Sequence, residues 1–319
     1  MLSTIYTMHD RMLMLLVSIS ERLGEVKAAH LHRPTHALQK AYRVSVIHAT
    51  LALEGNPLKK GTIAELLDGK HHQPNDPASL EVLNTQRLQE LLPELDPFVA
   101  QDFRRGHGEL MRGLAMDAGT YRTSPMEVLY GDHLAAHHAD AENVPSQMEE
   151  LLHYTENEDA PLLITSCVLH YGIASLRPFS AGNGRMARLW QKRVLMRRWP
   201  VFGFLPVEAF ILRTQPAYYA AMEYADRQGD CGGFITYLME RIDEALDELL
   251  RNQRPVRTGK ERIAMFLQEK GRGRFSRKDY LATFPELSTA TASRDLADAV
   301  ATSGLEKDGN GRTTWYRGR

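Results

Sequence analysis

The sequence predicts a mainly α-helical protein: a helical bundle with one small β-hairpin, followed by a C-terminal module of three helices and a second hairpin. Three observations carry this. Apolar residues recur at three- and four-residue steps, as in Tyr42, Val46, Ala49, Thr50 and Leu53 and again from Phe234 to Leu250. Short β-favouring runs beside glycines stand at Thr123–Gly131 and Gly309–Tyr316. Charge is uneven: of a net −1, the stretch from Arg257 to Arg319 holds 13 Lys/Arg against 8 Asp/Glu, leaving the body at −6. A basic tail on an acidic body implies an anionic partner for the tail.

The 319 residues suffice for two or three domains, and 43% hydrophobic with 25% charged residues describe an ordinary globular chain. The expected boundaries are a helical region over 1–110, a core over 111–250, a linker over 251–256 and a C-terminal domain over 257–319. No apolar run approaches the roughly 18 residues of a membrane helix, so no membrane partner is expected. Met1–Val17 lacks a basic start and a cleavage site, and Cys167 and Cys231 show no metal or redox spacing. A reducing cytoplasm is the expected location.

In chain order, Met1–Leu23 reads as an amphipathic helix packed on the core. Ala37–Leu53 is a helix stopped by Gly55, Asn56 and Pro57, with Glu54 in its last turn. Residues 59–110 are helical with loops, including Glu65–Asp68 and Leu80–Leu92, and His71-His72 falls in a solvated loop. The glycine turn at Ala118–Arg122 leads into the hairpin expected at Thr123–Gly131. His133, His137 and His138, with Asp132 and Asp140, suit a surface loop, and no functional metal is expected there. Helices follow over Pro145–Thr155, Thr165–Ala174 and Met186–Arg198, then an apolar connector at Val201–Pro206. Tyr218–Met222 reads as core packing or as a border to a ligand. In the tail, Glu261–Gln268 and Ser276–Ala282 are helices, and Ser288 N-caps a third.

Between two of these helices stands Gly182-Asn183-Gly184. A tight turn there presents unpaired amides at a helix start, a site for a phosphate. Arg185 and Arg188, three residues apart, share a face near the same end and can fork onto phosphate oxygens.

The run Pro178-Phe179-Ser180-Ala181-Gly182-Asn183-Gly184-Arg185-Met186-Ala187-Arg188 resembles the active-site signature of the Fic-domain family, His-Pro-Phe-x-(Asp/Glu)-Gly-Asn-Gly-Arg-x-x-Arg. The resemblance implies a Fic-type helical bundle with a β-hairpin flap. It also implies transfer of AMP from ATP to a protein hydroxyl, with Phe179, Gly182, Asn183, Gly184, Arg185 and Arg188 at the nucleotide. Two positions depart. Arg177 stands at the catalytic His position, and a guanidinium with a pKa above about 12 cannot take a hydroxyl proton near neutrality. Ala181 stands at the acid that holds Mg²⁺ and offers no carboxylate, which makes Mg²⁺ doubtful. Drift and deliberate substitution both account for these two residues. Thr50-x-x-x-Glu54-Gly55 resembles the family's inhibitory helix, which implies that Glu54 pairs with Arg188 and excludes a terminal phosphate. Met126, Glu127 and Val128 fall where the family's flap takes its target by strand addition.

The C-terminal helices and hairpin resemble a winged helix-turn-helix. That resemblance implies double-stranded DNA contacts from Ser288, Thr289, Thr291, Arg294 and Arg312; a protein-interaction module is the competing reading. Two functions follow. The first is a bacterial-type regulator whose catalytically impaired core binds ATP or another nucleotide and whose tail binds DNA. The alternative is a protein adenylyltransferase altered at position 177. The expected partners are a nucleotide, DNA and a target protein at the flap, and a homodimer is compatible with all of them.

Overall fold

The computed structural model describes residues 6–31, 35–70, 76–126, 140–157, 159–252, 258–285, 287–302, 304–309 and 314–318, and the backbone of 129–130 and 133–134. The chain forms two compact units, Met1–Gln253 and Arg254–Arg319.

The first unit is helical. α1 (Asp10–Ala28) packs along α11 (Gly232–Asn252), burying Met12, Leu15, Ile19, Leu23 and Val26 at helical spacing. Its polar edge is fixed by Arg22, which reaches Asp243 at 2.9 Å and Asp247 at 2.5 Å. The first helix thus lies later than the expected Met1–Leu23. α2 (His36–Ala52) starts at Thr35, whose hydroxyl accepts the Leu38 amide. It stops before Glu54, which lies in the turn beyond it rather than in its last turn; Gly55 takes the left-handed φ of 85° there.

α3 (Lys60–Leu67), α4 (Pro77–Leu91) and α5 (Ala100–Leu110) follow, α4 being capped by Asp76. A two-stranded antiparallel hairpin then pairs β1 (Leu129–Tyr130) with β2 (His133–Leu134). The expected hairpin is therefore displaced: its second strand falls in the histidine-rich stretch read as a surface loop. Two-residue strands carry too little alternation to be told from a loop.

α6 (Val144–Asn157), α7 (Leu162–Leu176) and α8 (Asn183–Arg198) form the centre, and α9 (Val207–Arg213) and α10 (Gln215–Gln228) close the bundle with α11. α7 is buried on nearly every side, as its apolar sequence requires. α8 is buried too, yet carries Arg185, Arg188 and Lys192 inside. Buried charges persist when paired, and carboxylates from other segments meet these three. Glu81 reaches Arg185 at 3.0 Å, Glu54 reaches Arg188 at 2.7 Å and Glu208 reaches Lys192 at 2.8 Å. Trp190 locks the helix against α5, edge-on to Phe103, and its indole N–H donates to the Pro97 carbonyl at 2.8 Å.

In the second unit α12 (Gly259–Lys270), β3 (Arg274–Phe275), α13 (Arg277–Thr283), α14 (Thr289–Ala301), β4 (Leu305–Asp308) and β5 (Trp315–Gly318) follow in order. The antiparallel sheet runs β3-β5-β4. The sequence reading lacked β3 and placed the last hairpin wholly after Gly309. Thr258 with Glu261 and Ser276 with Asp279 form capping boxes. Phe266, Phe275, Tyr280, Leu296 and Leu305 make the core. Within it Asp295 accepts two bonds from Arg262, at 2.6 and 2.7 Å, and one from Tyr280 at 3.1 Å.

Candidate functional site

The site forms where α7 ends and α8 begins. α7 is closed by Arg177, a non-glycine residue in the left-handed region at φ 47°, a conformation that costs about 1–2 kcal/mol. Its amide donates to Ile173 O at 3.0 Å. The last carbonyls of the helix are met by a buried cation from elsewhere: Arg122 donates to Arg177 O at 2.8 Å and Leu176 O at 3.3 Å, and to Ser124 O at 2.9 Å. A guanidinium at a helix C-terminus satisfies orphan acceptors and the dipole together. The half-buried Arg177 side chain has no hydrogen bond or ion pair among the described residues.

Asn183 folds the loop back on itself. Its Oδ1 accepts the Phe179 amide at 2.9 Å and its Nδ2 donates to Phe179 O at 2.8 Å. Phe179 lies flat on His107 of α5, with ring centroids 3.5 Å apart. His107 Nδ1 accepts the Gly119 amide at 2.9 Å, which leaves Nε2–H to donate to Ala181 O at 3.0 Å. The bond from Gly119 requires the neutral ring, since a protonated Nδ1 cannot accept. Burial pushes the His107 pKa down to about 4, against a smaller upward pull from the Ala181 carbonyl.

Gly182 takes φ 78°, and a Cβ there would lie 2.8 Å from Met111 Sδ. The next residues open α8, so the first-turn amides of Asn183, Gly184 and Arg185 have no acceptor within the helix. Arg188 is held by Thr50 and Glu54. Its Nε donates to Thr50 Oγ1 at 2.9 Å, and its NH2 donates to Thr50 O at 3.0 Å and Glu54 Oε1 at 2.7 Å. Burial, the largest influence, opposes the charge on Arg188, but the Glu54 carboxylate together with Tyr218 and Tyr219 outweighs it and its pKa rises. Tyr219 Oη donates to Leu53 O at 2.9 Å, fastening the same segment to α10. Tyr218 is core: its hydroxyl meets His170 Nε2 at 2.9 Å, and His170 Nδ1 meets Gln191 at 2.6 Å. Burial pushes the His170 pKa down to about 3.

The structure thus brings Thr50, Glu54, Phe179, Gly182, Asn183, Gly184, Arg185 and Arg188 together around one loop, with Arg177 at its edge. Met126 is half-buried beyond Arg122, while Glu127 and Val128 lie outside the described residues. In the second unit Ser288 caps α14 by accepting the Thr291 amide at 3.1 Å, and Thr289 and Arg294 are exposed. Arg312 lies outside the described residues, as do His71, His72, His137 and His138. Sequence reading missed His107, Glu81 and Arg122, whose partners are far along the chain and leave no local pattern.

Ala181 has no side-chain oxygen, its carbonyl is taken by His107, and the neighbouring Ser180 hydroxyl donates to Asp117 at 2.9 Å. Among the described residues no three His, Cys, Asp or Glu gather for an ion. No described helix is long and apolar enough to cross a membrane.

The profile of the Fic/DOC family matches residues 97–195. Over 236 residues the chain is 25% identical to the protein adenylyltransferase Fic of Nematostella vectensis, covering 71% of this chain and 53% of that one. Over 229 residues it is 26% identical to the protein adenylyltransferase fic-1 of Caenorhabditis elegans, covering 67% of this chain and 42% of that one. The chain spans about half the length of these curated relatives. The crystal structure of a Fic family protein from Desulfovibrio desulfuricans G20 matches with a TM-score of 0.76 at 28% identity, over 98% of this chain and 97% of that one.

Proposed function

We propose, from a chain that belongs to the Fic/DOC family through its residues 97–195, that this protein is a catalytically impaired, nucleotide-binding regulator. One observation carries the reading. First-turn amides at Gly182–Arg185 and two buried arginines stand together, which supports a phosphate cradle, while the position from which a base would act holds Arg177. A guanidinium stays protonated at any physiological pH and binds anions instead of accepting protons. Glu54 on Arg188 supports an inhibitory role: a terminal phosphate must displace a carboxylate and two hydrogen bonds to Thr50 to reach that side chain.

The arrangement of the second unit, three helices with a β3-β5-β4 sheet, supports reading it as a winged helix. Its net charge and the exposure of Thr289 and Arg294 on α14 support duplex DNA as its partner. The tail would couple nucleotide occupancy to transcription.

The second reading is an adenylyltransferase, favoured by the named activity of the relatives. Labelled ATP with Mg²⁺ and a cell lysate separates the two. The regulator labels nothing above background, itself included, yet binds ATP by calorimetry. Robust labelling that is lost in Arg185→Ala selects the transferase.

A further inference from the structure

Resting on the phosphate-cradle reading above, we infer that Glu81 is a second carboxylate competing with ligand. It sets the affinity for the phosphate that faces Arg185, as Glu54 does for Arg188. The two arginines differ in how far the protein satisfies them. Arg188 makes three hydrogen bonds to Thr50 and Glu54. Arg185 is 4% exposed, yet its Nε and NH1 have no hydrogen-bond acceptor among the described residues. Its NH2 leans on Met111 Sδ at 3.4 Å, a weak acceptor.

Glu81 Oε1 is 3.0 Å from Arg185 NH1, but not in hydrogen-bonding geometry. The contact therefore neutralises charge without completing the donors, and a buried donor left unmade is costly. An oxyanion at Arg185 would make bonds the closed protein lacks and displace a single charge contact. At Arg188 it would have to break an already satisfied network. Phosphate therefore enters at Arg185, and Glu81 sets the affinity of that step.

The two carboxylates are also linked. Glu81 Oε2 accepts from Asn56 Nδ2 at 2.7 Å, and the same amide reaches Ala78 O at 3.0 Å. Asn56 stands two residues beyond Glu54, across the left-handed Gly55. The segment that blocks Arg188 is thereby fastened to the helix that supplies Glu81, and a phosphate that displaces Glu81 loosens both.

Glu81→Gln separates charge from shape, because the amide keeps an oxygen for Asn56. Calorimetric titration of ADP and ATP into the full chain tests it, with folding checked by circular dichroism. Glu81→Gln is expected to raise affinity for both nucleotides by about tenfold, the order of one charged hydrogen bond. Glu54→Gly is expected to favour ATP over ADP. Asn56→Ala frees Glu81 from its partner without touching Arg185; it is expected to shift both affinities upward by a smaller factor, and serves if Glu81→Gln does not fold. Unchanged or lowered affinity in the folded variants, with ATP binding measurable in Glu54→Gly, overturns the inference and makes Glu81 a positioning partner of Arg185. No nucleotide binding in any form of the protein defeats the cradle reading itself.

Discussion

Glu54 Oε1 lies 2.7 Å from Arg188 NH2 and fills the space beside Gly184: a Cβ on that glycine would stand 2.4 Å from the same oxygen. The second glycine of the loop is thus needed for the carboxylate as well as for the turn. Losing one partner of a pair this buried leaves the other charge uncompensated, which is costly until a new anion arrives.

From this, Glu54→Gly is expected to raise affinity for ATP more than for AMP, because only the longer phosphate chain competes for Arg188. It is not expected to create transferase activity while Arg177 remains. Arg177→His with Ala181→Asp in the same background is the gain-of-function test. Equal shifts for ATP and AMP by calorimetry would reduce Glu54 to a residue of the turn after α2.

Arg185→Ala removes the cradle's less satisfied cation. Nucleotide affinity is expected to fall by roughly 1.5–3 kcal/mol, the range for hydrogen bonds to charged groups. The same titration reads it. Wild-type protein that binds no nucleotide at millimolar ligand refutes the cradle.

The helices were legible because α2, α11 and α14 keep apolar residues at helical steps. The loop was legible because glycines, an amide and two arginines within seven residues leave few alternatives to an anion site. What escaped was set by tertiary partners. α1 spans Asp10–Ala28 and packs on α11, and no local signal in Met1–Leu23 reports those bounds. His107 looks like any helix histidine until Phe179 and Ala181, from the other side of the bundle, close on it. Glu81 is equally silent, since its role depends on Arg185 turning inward.

For the second unit, a duplex carrying the native operator is expected to bind with steep salt dependence, because each neutralised phosphate releases counterions. Arg294→Ala, at an exposed position of α14, should weaken specific binding by about 1–3 kcal/mol if it reads a base edge. A gel shift across a salt series reads both. No shift at low salt with the protein's own promoter region selects the protein-interaction reading.

His107 ties loop geometry to pH. Its folded pKa of about 4 lies below the ordinary value of 6.5, so between these values the unfolded chain binds more protons than the native one. The stability that His107 contributes is therefore complete above about pH 6.5 and is lost as pH falls toward 4. About 1.4 kcal/mol per unit puts the whole effect on the order of 3 kcal/mol. Protonation would turn Nδ1 into a donor facing the Gly119 N–H, breaking one of the two bonds that hold the loop to α5. His170, displaced in the same sense, adds to the total slope, so the measurement must isolate His107. Urea unfolding of wild type and His107→Gln between pH 4 and 7.5 does this. The variant is expected to be less stable near neutrality and to lose less stability on acidification, so the two curves converge toward pH 4. Parallel curves across the range would mean that His107 does not gate the loop by its protonation.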